Sequence, residues 1–412
     1  MGELTLCNCS YLDIEEWNWN KKKNIEITDG LISDIYNSSI KIKSRGKVLD
    51  CSNCWIIPGL VDMHVHYTWS HEINTPDYPT KKEELLALSY NNLSELLRCG
   101  VTTCRDMGSF RFSAEWVKSE LQNDYSVPDM ITCGHVLTYP NGHLQEFAQE
   151  IKYIKDIKNA IINNKSAGAE FIKIASDPFD SEAVSRFPNP AFDESFLKEI
   201  VWVAKENGMS TACHTYPSPI GVTRALISGV RTIEHALPFN SAMECDKYPN
   251  VFFVPTFATA VDICGFEKID NQLSIRNTAS YLKAKEMTKV IDIGEVPKSI
   301  LEWLDILLEI VPKGIHKNQN ICTGSDAGCK GTDFSSLLRE MMFLSAMGAS
   351  NQQVLTYAIT NPYKALGIND KGQIKKGFVA DLVVLKENPL EDIISLTKSV
   401  AVIHRGNCIH TI

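Results

Sequence analysis

The chain holds 412 residues with a net charge of −9, 44% hydrophobic side chains and 13 cysteines. Hydrophobic and charged fractions near the globular average exclude a disordered or collagen-like chain, and the length fits two to three domains or one large barrel with additions. The mildly acidic balance argues against a nucleic-acid footprint, while an odd number of cysteines in so long a chain suits reduced cytosolic thiols better than a disulfide framework.

The opening residues MGELTLCNCSYLDIEEW lack the basic start and continuous apolar run of a signal peptide, and Leu6 breaks the myristoylation pattern. A cytoplasmic protein is expected. The Lys21-Lys22-Lys23 run reads as a solvated loop. Residues 24 to 57 carry short β-prone runs between turn residues, as do residues 373 to 412. Both read as hairpins that join in one small β domain. The pairs Cys7-x-Cys9 and Cys51-x-x-Cys54 have no second match at a known zinc-ribbon spacing, so they read as structural thiols.

From about residue 82 to 235 one pattern repeats: an amphipathic run, a glycine, then a short β-prone run. Gly100, Gly168, Gly208 and Gly229 stand where a helix end needs positive φ, and a strand follows each. Asp193 before ESFLKEIVWVAKEN suits a helix N-cap. With CWIIPGLVDMHVH, DMITCG, VFFVPTF and NICTGSDA, eight strands are expected between 55 and 326, the number an α/β fold of the (β/α)8 TIM-barrel type requires. The expected division is a small β-sandwich domain from 1–57 plus 375–412, and a hydrolase barrel over 58–374. The stretch 260–296 reads as a helical insertion or a lid over the barrel mouth. The apolar run ILEWLDILLEIV is interrupted by Glu302, Asp305 and Glu309 and cannot cross a bilayer.

Chemistry concentrates at the strand ends. His64 and His66 lie two apart, so on a strand both rings face one side and can reach one ion. His214, His235 and Asp326 each close a predicted strand, at the end where barrel enzymes keep their active sites. One strand-end histidine alone says little, but five such residues at one mouth point to N/O ligation of zinc or a neighbouring divalent metal. Lys173 interrupts the apolar strand FIKIA. There it either snorkels to solvent, forms a Schiff base as in barrel aldolases, or stays neutral beside cations and takes up carbon dioxide. The histidine set disfavours the aldolase.

Taken together, VLDCSNCWIIPGLVDMHVH, GVTTCRDMG, PNGH, AEFIKIAS, VWVAKENG before TACHTY, GVRTIEHA, VFFVPT, TGSDAG and GQIKKGFVADLVVL resemble the amidohydrolase superfamily. Within it the chain looks like the prolidase-like branch of binuclear metallo-dipeptidases, on the strength of PNGH, HTY and FVPT. The resemblance implies that His64, His66 and Asp326 hold a buried ion, that His214 and His235 hold an outer one, and that carbamylated Lys173 bridges two zinc ions. It also implies that Asp326 is the catalytic base and acid for a metal-bridging hydroxide, and that His143 and Tyr216 contact substrate. Glu234 and Asp62 are candidates for orienting ligands, Arg105 is expected to pair within the barrel, and His135 competes with His143. The implied substrate is a small molecule, a dipeptide or N-acyl amino acid, handled by a homo-oligomer with no nucleic-acid or membrane partner. Alternatives are a cyclic amide or imidazolone, a lactone, a phosphoester, or deamination. The H-x-x-E of mononuclear deaminases is absent, since Thr215, Tyr216 and Pro217 follow His214. The chain departs from the branch after Lys173, where a Gly-Gly turn is replaced by ASDPFDSEAVSRFPNP, which could bring Asp177, Asp180 or Arg186 to the pocket.

Overall fold

The computed structural model of the protein describes residues 3–42, 46–71, 79, 81–176, 191–215, 219–238, 247–288, 296 and 298–411. Tyr216 and the loop residues Asp177, Asp180 and Arg186 lie outside the described residues.

Segments from both ends of the chain build one sheet. Leu4–Asp13 pairs antiparallel with Asn18–Thr28 and parallel with Lys47–Asp50 and Trp55–Pro58. Trp55–Pro58 pairs in turn with Leu382–Leu385, which leads on to Ser399–His404 and Asn407–Thr411. The edge strand Leu31–Asn37 and the turn before it meet the segment leading into Leu382–Leu385, where Ile32 N donates to Phe378 O and Ala380 N donates to Gly30 O. Alternating side chains fill the space between, with Leu6, Ile25, Ile56, Leu382 and Ile403 in one apolar cluster. Cys9 and Cys51 belong to that cluster, and burial pushes the Cys9 thiol up to about 12. Both are core thiols.

The intervening chain forms the barrel. Its parallel strands are Leu60–Val65, Val101–Asp106, Asp129–Ile131, Phe171–Ala175, Ser210–His214, Thr232–Glu234 and Phe252–Val254, with the eighth position taken by residues 321 to 327. Glu170 N donates to Thr132 O between strands three and four. Closure comes from Phe253 bridging Ile321 and Val65 bridging Ala327, with Asp326 N donating to His64 O at 2.8 Å. The first two strands are buried along their whole length, as parallel strands under helices must be. All eight predicted strand segments take part.

The covering helices follow the expected chemistry. Asp193 caps Glu194–Glu206, its side chain accepting from Phe196 N at 2.9 Å. That helix buries Leu197, Ile200, Val203 and Ala204, one stripe at helical spacing. The four helix-end glycines all have positive φ. Between the seventh and eighth strands the chain is helical over Phe257–Cys264, Glu267–Asp270, Leu273–Arg276, Ala279–Met287 and Lys298–His316, and part of it reaches the barrel mouth. Among the described residues, no helix is long and apolar enough to cross a membrane.

Candidate metal centre

A parallel barrel points every strand's C-terminal end at one mouth, and that mouth is where the predicted ligands meet. His64 and His66 project from the first strand, and Asp326 follows the eighth. Their ligand atoms lie within 4.8 Å of one another, and all three side chains are buried. Asp326 Oδ1 is 3.3 Å from His64 Nε2 and 3.4 Å from His66 Nε2. The rings continue as a chain, with His235 at 4.6 Å from His64, His214 at 4.4 Å from His235, and His143 at 4.6 Å from His214, centroid to centroid.

Other groups aim these rings. His64 Nδ1 sits 2.9 Å from Glu234 Oε2, His66 Nδ1 donates to Gly108 O at 3.1 Å, and His235 Nδ1 is 2.8 Å from Thr256 Oγ1. Each contact leaves the opposite nitrogen for the cavity, as metal-ligating histidines require. Glu234 also takes Arg105, whose Nη2 donates to Oε1 at 2.8 Å while its Nε donates to Met63 O. Arg105 therefore pairs inside the barrel. Asp62 accepts from His64 N, Ser325 N and Ser325 Oγ, tying the first strand to the residue before Asp326.

Backbone conformation adds precision. His235, Thr256 and Asp326 adopt left-handed φ of 65°, 50° and 57°. Such conformations disfavour non-glycine residues and concentrate at functional sites. Gly324 and Gly328 flank Asp326 for steric reasons: a Cβ at Gly324 would stand 2.4 Å from Val254 Cγ1, and one at Gly328 2.3 Å from His66 O.

Lys173 is the informative residue. Its side chain is 1% exposed, and its Nζ has no hydrogen-bond partner among the described residues. Burial pushes the amine below its ordinary value, opposed by Glu234 and aided by Arg105. Burial likewise holds His64 and His214 well below the usual imidazole range and lowers His143 and His235 to about 4. Against the burial that would raise it, the His64, His66 and His235 imidazoles keep the Asp326 carboxyl below its ordinary value. Burial thus disfavours the charged forms of the amine and the imidazoles, while the Asp326 carboxylate is favoured, a donor set that suits divalent cations.

The cavity above takes in His64, His66, His143, Lys173, His214, His235 and Asp326. His143 thus lines the same cavity as these residues, whereas His135 packs against Phe112 with ring centroids 4.0 Å apart. The cavity also includes residues that no sequence motif singled out, among them Trp69, Cys329 and Trp303. Cys329 Sγ contacts Asp326 Oδ1 at 3.4 Å. Trp69 stacks on the His66 ring at 3.9 Å, and its position three residues after His66 is the one hint of this in the sequence.

Comparison with known proteins extends these findings. The family model described as amidohydrolase family matches residues 55–406. A 5'-deoxyadenosine deaminase of Methanosphaera stadtmanae is 23% identical over 388 residues, covering 89% of this chain and 82% of that protein. An ochratoxinase of Aspergillus niger is 22% identical over 384 residues, covering 85% and 74%. A solved Xaa-Pro dipeptidase with methionine bound in its active site superposes with a TM-score of 0.80 at 22% identity, covering 98% of this chain and 99% of that one.

Proposed function

This chain belongs to the amidohydrolase family and is a metal-dependent hydrolase, and from that premise we propose that it cleaves the amide bond of a dipeptide or N-acyl amino acid. The observation that carries the reading is the Lys173 amine, buried without a hydrogen-bond partner among the described residues beside a His/Asp ligand cluster. A single-ion deaminase has no use for it. Two ions would have one, because the amine could take up carbon dioxide with release of one proton, and the carbamate so formed would add anionic oxygen donors to the site. His64, His66 and Asp326 would hold one ion, His214 and His235 the other, and zinc suits this mixture of imidazole and carboxylate. The motif after strand five also speaks against the deaminases among the relatives, since His214 is followed by Thr215, Tyr216 and Pro217.

Divalent ions bound there supply an acidified water and a polarised carbonyl oxygen. The protein's own groups do the rest. Asp326 accepts the proton of the attacking water and delivers it to the leaving amine, first as general base and then as general acid. Glu234 keeps the His64 ring aimed at the centre. His143, and Tyr216 two residues after His214, donate hydrogen bonds to the substrate's carbonyl region and carboxylate. We assign the work to the barrel of residues 58–374, acting as a homo-oligomer in the reducing cytoplasm. The fold shared with the solved Xaa-Pro dipeptidase supports this reading.

The test is a screen of dipeptides and N-acyl amino acids by released amine, run beside purine nucleosides with ammonia as readout, on protein loaded with zinc and bicarbonate. Release of amine supports the proposal. Ammonia from nucleosides with no amine from any amide would overturn it, as would fewer than one ion per chain.

A further inference from the structure

Trp303 stands on the helix Lys298–His316, whose buried stripe also includes Leu304, Leu307 and Val311. A plain core position would take leucine or phenylalanine, because a buried indole N–H must find an acceptor. Here the acceptor is the carbonyl of His235, with Nε1 donating at 3.0 Å. That carbonyl is free for a definite reason. His235 N still donates to Val254 O, as a strand residue would, but the left-handed φ of 65° at His235 turns the chain out of the ladder. Trp303 caps the group that this turn exposes.

The same indole faces the substrate side. It packs at 5.8 Å from the His235 ring and lines the cavity with Trp69, Met107, Leu144, Ile263 and Ile300. His235 is therefore fixed three ways: by its turned backbone, by Thr256 at Nδ1, and by Trp303 at its carbonyl. We propose that Trp303 has two roles, positioning His235 for the outer ion and forming the wall that selects a bulky apolar group on the substrate. The first role rests on the two-ion reading above; the second does not require it.

Two variants separate the roles. Trp303→Phe keeps most of the wall and removes the donor, whereas Trp303→Ala removes both. Chelator competition with zinc should show one of two dissociation constants raised about 10-fold in Trp303→Phe, as for loss of other groups that orient metal ligands, with the thermal midpoint little changed. Its preference for substrates with aromatic or branched side chains over glycine should match wild type. Trp303→Ala should show the same metal defect and lose that preference by about 10-fold or more, the scale on which apolar pockets discriminate. In wild type, the Trp303 indole proton should shift in NMR spectra with only one of two zinc equivalents, a readout independent of how the variants fold. Wild-type protein binding two ions with Trp303→Phe indistinguishable from it overturns the positioning role, as does an indole proton unmoved by zinc. Unchanged selectivity in Trp303→Ala overturns the wall. Wild-type protein that binds a single ion overturns the two-ion reading and the positioning role together, and the wall then stands or falls on the selectivity of Trp303→Ala alone.

Discussion

Glu234 Oε2 and His64 Nδ1 stand 2.9 Å apart, linking the end of the sixth strand to the first across the barrel interior. The other Glu234 oxygen holds Arg105, so one carboxylate serves a cation below and an imidazole above. Neutralising it should disturb both. In Glu234→Gln the amide oxygen can satisfy only one of the two partners, and zinc affinity at the His64 site should fall about 10- to 100-fold. The thermal midpoint should also drop, because Arg105 is left as an uncompensated buried charge. Chelator competition and melting curves check the two effects, and wild-type zinc affinity would remove Glu234 from the orienting role.

Lys173 offers a sharper separation of stability from function. A buried amine without a hydrogen-bond partner contributes little to the fold, and an apolar chain of similar length avoids its desolvation cost. Lys173→Met should therefore melt at or above the wild-type temperature, while turnover is abolished and bound metal falls. Lys173→Ala should lose activity likewise but with lower stability, through the cavity it leaves. A destabilised Lys173→Met variant that still turns over substrate would mark the lysine as structural.

The legible part of this molecule is what local chemistry writes into a sequence. Glycines at helix ends and strand-terminal His64, His66, His214, His235 and Asp326 are visible because a parallel barrel maps strand ends onto one mouth. Glu234 draws notice because it precedes His235. Trp303 and Thr256 are not legible, since each acts through a contact with His235 from a different strand or helix. The eighth strand is legible as NICTGSDA, although it closes the barrel only through scattered backbone contacts around Ile321 and Ala327. The stretch after residue 260 stays ambiguous in the sequence because its helices are brief, Glu267–Asp270 and Leu273–Arg276 spanning about one turn each.

The glycines around Asp326 make a steric prediction. A methyl group at position 324 would overlap Val254 and the His64 Cβ, and at 328 it would press on the His66 carbonyl from a left-handed backbone. In both cases an atom of a ligand residue, His64 Cβ or His66 O, lies within 3 Å of the added methyl. Gly324→Ala and Gly328→Ala should each cost about 1–3 kcal/mol of stability, the usual scale for overpacking, and should lower zinc occupancy as well. Denaturant melts and metal analysis test this; full occupancy in both variants would show the ligand cluster to be more pliable than its packing implies.

Substrate contacts divide by kinetic signature. His143 lines the cavity beside His214 and has no part in the His64–His66–Asp326 cluster. His143→Ala should raise KM about 10-fold or more while sparing metal content, because a hydrogen bond to a charged group is worth roughly 1.5–3 kcal/mol. Tyr216→Phe should behave the same way on substrates that carry a carboxylate and have little effect on those that lack one. Unchanged kinetics for Tyr216→Phe on the best carboxylate-bearing substrate would end its proposed role.

Glu340 supplies a pH prediction outside the metal cluster. It lies buried on the helix Ser336–Ala346, where Oε2 accepts from Ala258 N at 2.7 Å. Burial pushes its carboxyl up to about 8, despite that hydrogen bond. In the unfolded chain a glutamate titrates near about 4.3. The folded state therefore binds the proton more tightly, and its stabilising effect is complete below the unfolded value. Stability must then fall as pH rises between the two values and level off above about 8. Glu340→Gln keeps the shape and the acceptor but cannot ionise. Relative to wild type, its melting temperature should gain a few degrees between about pH 5 and about pH 8.5, since about three pH units of that window are worth roughly 4 kcal/mol. Parallel melting curves for the two proteins would mean that Glu340 is already ionised inside the fold.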